Sequence, residues 1–531
     1  MVRKLKNIKA KAHPPHYMMH KYWGRKPHNV VSDYINNYTK EGEVVLDPFM
    51  GSGVVVIEAL KSSREAYGID LNPLSIFITR NTLEPINISA FDKAYEKIHL
   101  KIYSKLKKLY QTSCPTCKSD SIFLNSVYDR EKLIRIKGLC SDCGVFRKDA
   151  EESDLIILKD ADSLFKKYDS EKLLNYPKDK ILQYVKRSQR THINQLFTAR
   201  ALIILSNIRD EILNEKSNKI RDLLMMCFTS MLPNVSKMIP GNIETVNGRS
   251  GWQISKLWVP TIHTEKNIFE SFLSRYKKIR KGKLETNELI KSTKFKLFNK
   301  SSEYLKNIKT ESIDYIFTDP PYGESIAYFG LSMFFNSWLP SIVDYEKEII
   351  FDPYRGKKHD DYSVRLEKVF KELYRVLKPD KYLSFTFHNR DLIIWKGVID
   401  SIDGAGFEIK NIAYQEQAVL SGTQGINYKN TLKGDFVYTF IKPITKKKNL
   451  IIKHKNPLEL INKKLVKIFN KSEFISSDQI FEEIIPYIIK KQIYTDNEGL
   501  PINIDDVLKE NYDYGPIDST NKNFAWKNKT D

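Results

Sequence analysis

The segment from Val44 to Leu60 constrains this chain more than any other. An apolar run, Val44-Val45-Leu46, ends in Asp47-Pro48-Phe49-Met50-Gly51-Ser52-Gly53, and a helical pattern follows from Val54 to Leu60. A strand that stops at a glycine turn and restarts as a helix points to a doubly wound α/β sheet. It lets a nucleotide-like ligand approach the backbone and rest beside a helix N-terminus. Gly51 and Gly53 permit the tight turn that bulkier residues would block. Asp70 closes a second expected strand, Ala66 to Ile69. It lies about twenty residues beyond the turn, the separation at which a carboxylate accepts hydrogen bonds from both ribose hydroxyls. Val56 stands where the dinucleotide fingerprint has its third glycine, so a nicotinamide cofactor is disfavoured.

A second strand end of this kind comes much later. Tyr315-Ile316-Phe317-Thr318 runs into Asp319-Pro320-Pro321-Tyr322, which places a carboxylate, two rigid prolines and an aromatic ring at the carboxyl edge of a sheet. Between the two motifs the αβ rhythm breaks. Residues 13–90 read as the first half of an α/β domain and 301–445 as its second half. An insertion separates them, with a lysine-rich helix and a cysteine cluster at 91–150 and helical patterns at 151–300. A helical segment at 446–531 closes the chain, and its last dozen residues are polar enough to be expected disordered.

Four cysteines fall as Cys114-x-x-Cys117 and Cys140-x-x-Cys143, each pair with knuckle spacing. Two such pairs turned onto one ion make a structural zinc ribbon with no open coordination position. Cys227 sits in an apolar helical run and reads as core. Lys and Arg number 86 against 65 Asp and Glu, a formal charge of +21, which favours a polyanionic partner. The basic stretch Arg275 to Lys283, with Tyr276 interleaved, suits phosphate contacts, and Asn247 to Trp252 is a polar loop carrying one arginine and one aromatic ring. For both, a solvated surface is an equal reading. No apolar run reaches bilayer length and no signal-peptide core follows the basic N-terminus, so a cytoplasmic protein without membrane partners is the expectation.

Taken together, the two strand-end motifs resemble the S-adenosylmethionine-dependent DNA amino-methyltransferases, which methylate adenine N6 or cytosine N4. With the cysteine cluster, Phe197-Thr198-x-Arg200 and Arg375-Val376-Leu377-Lys378-Pro379, the chain is similar to adenine-specific DNA methylases that carry a zinc ribbon. The resemblance implies a Rossmann-like fold, S-adenosyl-L-methionine and zinc as cofactors, double-stranded DNA as partner and a restriction-modification setting. It implies a cofactor site at Lys26, Pro27, Asp47, Pro48, Phe49, Gly51, Ser52, Gly53 and Asp70, with Asp47 against the methionine amino group. Lys26 and Pro27 belong to Lys21-Tyr22-Trp23-Gly24-Arg25-Lys26-Pro27, which is similar to the family's N-terminal motif.

It further implies catalysis at Asp319, Pro320, Pro321 and Tyr322. An exocyclic amine is a poor nucleophile because its lone pair is delocalised into the ring. Acceptors for its two N–H protons, the Asp319 carboxylate and the Pro320 carbonyl, pull the nitrogen toward tetrahedral geometry, and Tyr322 offers a face to an extruded base. Tyr328 to Ser332 with Trp338-Leu339 resembles the base-pocket segment, a buried aromatic helix being the even alternative. Two departures stand out. Val54 and Val55 replace the usual threonines, and Ser301-Ser302 stands where an acidic residue is expected near the adenine ring. The first residue of the tetrapeptide, Asp rather than Ser, leans toward adenine. Asp-Pro-Pro-Tyr-Gly also looks like the motif of tRNA guanine-N2 methyltransferases, so an RNA base methyltransferase and a cytosine-N4 enzyme stay as alternatives, with a non-catalytic zinc-ribbon nucleic-acid-binding protein behind them.

Overall fold

Why the chain builds one interrupted α/β sheet is visible from its strand sequences. In the computed structural model, strands β1 (Val44–Asp47), β2 (Glu65–Asp70), β10 (Phe295–Asn299), β11 (Ile313–Thr318), β12 (Leu377–Phe387), β13 (Glu408–Glu416) and β14 (Gly434–Ile441) form a seven-stranded sheet in the order β10-β2-β1-β11-β12-β14-β13. The first five are parallel, whereas β14 runs antiparallel to both its neighbours. β11 is buried at every position, as expected of a parallel strand covered on both faces. The structure describes residues 5, 7–187, 189–248, 256–290, 294–321, 327–350, 352, 355–387, 392–416, 434–445, 454–517 and 524–529.

Helices α1 (His28–Tyr38) and α2 (Val54–Lys61) cover one face of the sheet, packing Val30, Tyr34, Val56 and Leu60 over Val45, Tyr315 and Phe317. Helices α10 (His359–Val376) and α11 (Leu392–Ala405) cover the other with Leu366, Phe370, Trp395 and Ile402. After β2, Asn72 caps α3 (Pro73–Leu83), its side chain accepting from the Leu74 N–H. β10 arises inside the stretch that the sequence pattern places in the insertion. It is short and carries Lys296 and Asn299, so its alternation of Phe295, Leu297 and polar residues is faint. At Lys378-Pro379-Asp380 β12 is irregular, with Asp380 at φ +58° and its N–H on the Lys442 carbonyl.

The insertion packs into a second core, which also takes in Met19, Trp23, Leu74 and Ile78. Helix α4 (Ile88–Leu106) leads to β3 (Gln111–Ser113), β4 (Asp120–Asp129), β5 (Lys132–Cys140) and β6 (Gly144–Asp149), an antiparallel sheet whose β4 also pairs with β9 (Ile262–Lys266). α5 (Glu152–Ser170), α6 (Ala199–Leu213), α7 (Asn218–Val235) and α8 (Ile268–Leu289) pack around it, with a two-residue hairpin, β7 (Gly241–Asn242) and β8 (Asn247–Gly248), before β9. Helix α9 (Tyr328–Asn336) joins this core through Phe334, which stacks on Phe197 at 5.6 Å.

One ion pair ties the antiparallel sheet to the helices. Arg200 on α6 and Glu265 on β9 are both fully buried, 3.0 Å apart. Glu265 also accepts from the hydroxyls of Tyr110, Tyr128 and Thr198, and Arg200 donates to Ser126. Glu265→Gln would strip the counter-charge from a guanidinium that has no access to water. We expect a loss of roughly 3–5 kcal/mol, the usual cost of breaking a buried pair from one side. Urea denaturation of the variant beside wild type checks this; a loss below about 1 kcal/mol would show the pair to be dispensable.

The C-terminal segment is helical as expected, with α12 (Pro457–Phe469), α13 (Ser477–Lys491) and α14 (Ile504–Asn511), and it packs into the same core as α10 and α11. Its end corrects an expectation. The last dozen residues include β16 (Phe524–Asn528), which pairs with β15 (Tyr512–Pro516). Trp526 is 1% exposed, donates its indole N–H to Ser477 and exchanges backbone bonds with Ile475. Burial of that one indole overrides the polar composition around it. Among the described residues no helix is long and apolar enough to cross a membrane.

Candidate active site

Both strand-end motifs lie on neighbouring strands. β1 and β11 pair in parallel with Val45 opposite Tyr315 and Leu46 opposite Ile316, so Asp47 and Asp319 leave the sheet at the same carboxyl edge. β1 has β2 on one side and β11 on the other, which makes this the point where strand order reverses and a crevice opens. A cavity occupies it, lined among others by Lys26, Asp47, Phe49, Gly51, Asp70 and Asp319.

The glycine loop is held from below. Gly51 has φ +51°, and its N–H donates to Asp70 Oδ2 at 2.8 Å, while the Asn72 N–H donates to Oδ1 at 2.7 Å. Asp47 Oδ1 accepts the Phe49 N–H at 3.1 Å and the Thr318 hydroxyl at 2.8 Å, which couples the first motif to the strand carrying the second. Its other oxygen makes no hydrogen bond among the described residues. Burial drives Asp47 up to about 8 against the pull of those two bonds, and burial likewise raises Asp70 to about 6. Gly53 starts α2 at φ +79°, where a Cβ would lie 2.5 Å from Thr79, and Pro27 precedes α1. These two shape the cavity without lining it, whereas Pro48, Phe49, Gly51 and Ser52 line it. Ser52 accepts from Arg25 at 3.0 Å. Just beyond β10, Ser302 donates to the Pro48 carbonyl and Ser301 to Glu303, so the cavity wall there is hydroxylic rather than acidic.

At the second motif, Asp319, Pro320 and Pro321 line the same cavity. Asp319 Oδ1 accepts from the Thr386 hydroxyl at 2.6 Å and lies 3.3 Å from the Lys26 ammonium, which is 2.7 Å from Asp435 Oδ2. The Pro321 carbonyl accepts from Tyr362. Tyr322 lies outside the described residues. The aromatic wall nearby comes from Tyr328, which stacks against Tyr22 at 6.3 Å, and from Phe329; Phe334, Phe335 and Trp338 on the far side of the segment are core. The start of α9 thus lines the cavity and the rest of the segment packs in the core.

Lys26, expected beside the cofactor, is thus placed between two carboxylates, one of them Asp319. Thr386, Asp435 and Tyr22 escape sequence reasoning. Thr386 and Asp435 sit in ordinary strand sequences and acquire meaning only when β12 and β14 pair beside β11. Tyr22 had a weak signal, its place in the Lys21–Pro27 motif.

The basic stretch behaves differently from the expectation. Arg275 donates to Met18, Met19 and Ser230, Arg280 forks onto Asp92 at 2.9 and 3.0 Å, and Lys283 is buried against the carbonyls of Asn81, Thr82 and Glu84 at the end of α3. Tyr276 stacks on Tyr95 at 3.9 Å. Lys277, Lys278 and Lys281 of that run face solvent. Of the loop from Asn247 to Trp252, residues 249–252 lie outside the described residues.

The four cysteines converge. Their sulfurs all lie within 4.8 Å of one another, with Cys117 and Cys140 3.6 Å apart. A tetrahedral zinc with Zn–S bonds of about 2.3 Å sets its sulfurs about 3.8 Å apart, so the donor set fits that ion. The first knuckle turns through Lys118 at φ +63° and the second through Gly144 at φ +76°. Cys227 is buried in α7, as expected of a core thiol.

The profile of the N6/N4 methyltransferase family, described as DNA methylase, matches residues 3–79 and 313–514, slightly more than half of the chain. Type II methyltransferase M.MjaII of Methanocaldococcus jannaschii is 27% identical over 90 residues, 17% of this chain and 16% of that protein. Type II methyltransferase M.MvaI of Kocuria varians is 39% identical over 56 residues, 10% of this chain and 12% of that protein. The chain thus spans less than a fifth of either curated relative. Among solved structures, a SAM-dependent methyltransferase from Methanosarcina mazei aligns with 78% of this chain and 98% of its own at 10% identity and a TM-score of 0.25. A putative DNA modification methylase from Thermus thermophilus, complexed with S-adenosyl-L-methionine, aligns with 32% and 60% at 13% identity and a TM-score of 0.17.

Proposed function

The chain belongs to the N6/N4 DNA methylase family, and on that premise we propose that it methylates the exocyclic amine of a base extruded from duplex DNA, adenine N6 in the first place. One observation carries the reading. The glycine loop with Asp47 and the Asp-Pro-Pro segment with Asp319 end adjacent parallel strands and line a single cavity. When bound, S-adenosylmethionine supplies an electrophilic methyl group on a sulfonium sulfur. Asp47, with one oxygen unused, suits the methionine ammonium. Asp70, which serves Gly51 and Asn72 and also the Ser75 hydroxyl, suits a ribose hydroxyl with the acceptor capacity left to it. Asp319 accepts an N–H of the base amine and the Pro320 carbonyl the other, which frees the nitrogen lone pair. Methyl transfer would break the carbon–sulfur bond, leaving S-adenosylhomocysteine, and the methylated nitrogen would give up one proton, for which Asp319 is the adjacent base. Catalysis is then positioning and electrostatics on rigid acceptors. Aspartate at the head of the tetrapeptide favours adenine by family pattern.

Labelled methyl transfer to plasmid DNA and to total RNA, run side by side, tests this. Label in DNA supports the reading. Label in RNA alone replaces it with the RNA alternative, and label in neither with cofactor binding intact leaves a non-catalytic protein.

The Asp47 environment adds a pH signature. In the empty site its carboxyl holds a proton up to about pH 8, but an ammonium ligand favours the carboxylate, so binding expels that proton. We expect affinity for S-adenosylhomocysteine to rise with pH between about pH 6.5 and 8, by at most about tenfold per unit. By the same linkage the empty fold loses stability as pH rises from Asp47's ordinary range toward 8, because the folded state binds the extra proton. Calorimetric titration across that range checks this, and Asp47→Asn should flatten the dependence. A flat wild-type profile would place the ammonium elsewhere.

A further inference from the structure

Lys26 of the Lys-Pro motif lines the same cavity as the glycine turn and also touches the second motif. Lys26 lies 2.7 Å from Asp435 and 3.3 Å from Asp319, and all three side chains are shielded, 15%, 11% and 23% exposed. We propose that Lys26 is a positioning residue for the reacting carboxylate: clamped by Asp435, its ammonium fixes Asp319 as an ionised acceptor for the target amine. This rests on the methyltransferase reading above and gives Lys26 a role in it that the sequence motif did not suggest.

The physical argument begins with geometry. Two donors, Lys26 and the Thr386 hydroxyl, converge on the same oxygen, Asp319 Oδ1. A carboxylate held at one oxygen from two directions cannot rotate freely about its χ2 torsion, so the acceptor presented to a base amine has a defined orientation. Lys26 is itself held: it comes from the segment before α1, Asp435 from β14, Thr386 from β12 and Asp319 from the end of β11. Four separate pieces of chain meet at this point, three of them strands in consecutive sheet positions.

Charge points the same way. Among the described residues, the titratable groups facing Asp319 are Lys26, Asp435, Asp47 and Tyr328. Burial opposes the charge on Lys26, but Asp319 and Asp435 outweigh it and raise the ammonium above its usual range. Burial likewise keeps the Tyr328 phenol neutral, and Asp47 is raised to about 8. Lys26 thus sets a cation against two carboxylates in a partly desolvated site. Removing it takes away an ammonium that contacts both Asp319 and Asp435. Like-charge repulsion would then favour the protonated form, a carboxylic acid that donates where the reaction needs an acceptor.

Lys26→Met and Lys26→Arg separate this role from cofactor binding and from folding. For Lys26→Met we expect kcat for DNA methylation to fall at least tenfold at neutral pH. The acid limb of its pH profile should move up by roughly one unit or more, the usual size of a neighbouring-charge effect. Affinity for S-adenosylhomocysteine should stay within about threefold, and Lys26→Arg should restore most of kcat because it keeps the charge. A readout independent of activity is the carboxyl infrared band of Asp319, assigned by its disappearance in Asp319→Asn. Its titration in Lys26→Met should lie at least roughly one pH unit above wild type. If the wild type transfers no methyl group to DNA, the parent reading fails while the infrared titration still decides the Lys26–Asp319 coupling. An unshifted band, or a loss of S-adenosylhomocysteine binding as large as the loss of kcat, overturns the proposal and returns Lys26 to the cofactor.

Discussion

Asp319→Ala is expected to reduce methyl transfer by about a thousandfold or more while leaving the affinity for S-adenosylhomocysteine within a few fold. A group that both orients a weak nucleophile and takes its proton combines two contributions, each worth about a hundred- to a thousandfold by comparison with other positioned acceptors and bases. The cofactor loop is built on β1 and β2, where Asp47 and Asp70 take their hydrogen bonds from Phe49, Thr318, Gly51 and Asn72. None of those bonds involves Asp319. The substitution is also tolerable for the fold, because Lys26 keeps its shorter contact with Asp435 and is not left buried without a counter-charge. Single-turnover transfer, calorimetry and a thermal melt on one preparation separate the possibilities. Loss of cofactor-product binding in step with activity would show that the two carboxylates have been given each other's tasks.

The second large effect concerns the cysteines. Wild-type protein is expected to carry about one zinc per chain, and Cys140→Ser to lose it together with the structure of the β3–β6 sheet. Apparent binding of a structural zinc by such ligands is worth about 10–16 kcal/mol, which exceeds the net stability of an ordinary domain. Cys140 ends β5 and pairs with Gly144 across the hairpin turn, and Cys114 follows β3 directly, so the ion closes both ends of the antiparallel sheet. The damage should reach beyond the knuckles. β4 carries Ser126 and Tyr128 into the Arg200–Glu265 cluster, and β9, the strand of Glu265, pairs only with β4 among the strands of that sheet. Elemental analysis without stoichiometric metal, or a Cys140→Ser variant that melts like wild type, would reject the ribbon.

What could be read from residues alone follows the range of the forces involved. The strand, turn and helix from Val44 to Lys61 are local: apolar run, glycines at positive φ and helical periodicity all lie within one short segment, and the observed β1 and α2 match them closely. The cysteine pairs were equally legible, because knuckle spacing is a local pattern. Strand β10 was not, since five residues with two lysine or asparagine side chains facing out carry too little periodicity, and only pairing with β2 makes them a strand. The β15–β16 hairpin was hidden by its polar flanks and depends on Trp526 finding a distant core. At the site, sequence could present Asp319 and Lys26 as members of separate motifs. That they touch, with Thr386 and Asp435 around them, is a consequence of strand order over hundreds of residues. The run from Arg275 to Lys283 shows the converse, a conspicuous local pattern of charge of which Arg275, Arg280 and Lys283 hold α8 to its neighbours.

The most direct test of a DNA amino-methyltransferase centred on Asp47 and Asp319 is nucleoside mass spectrometry of plasmid DNA treated with the purified chain and labelled S-adenosylmethionine, with Asp319→Ala in parallel. The expected product is labelled N6-methyladenine from wild type and none above background from the variant, which still binds S-adenosylhomocysteine. A methyl group on a ring carbon, or equal labelling by the Asp319→Ala protein, would contradict it.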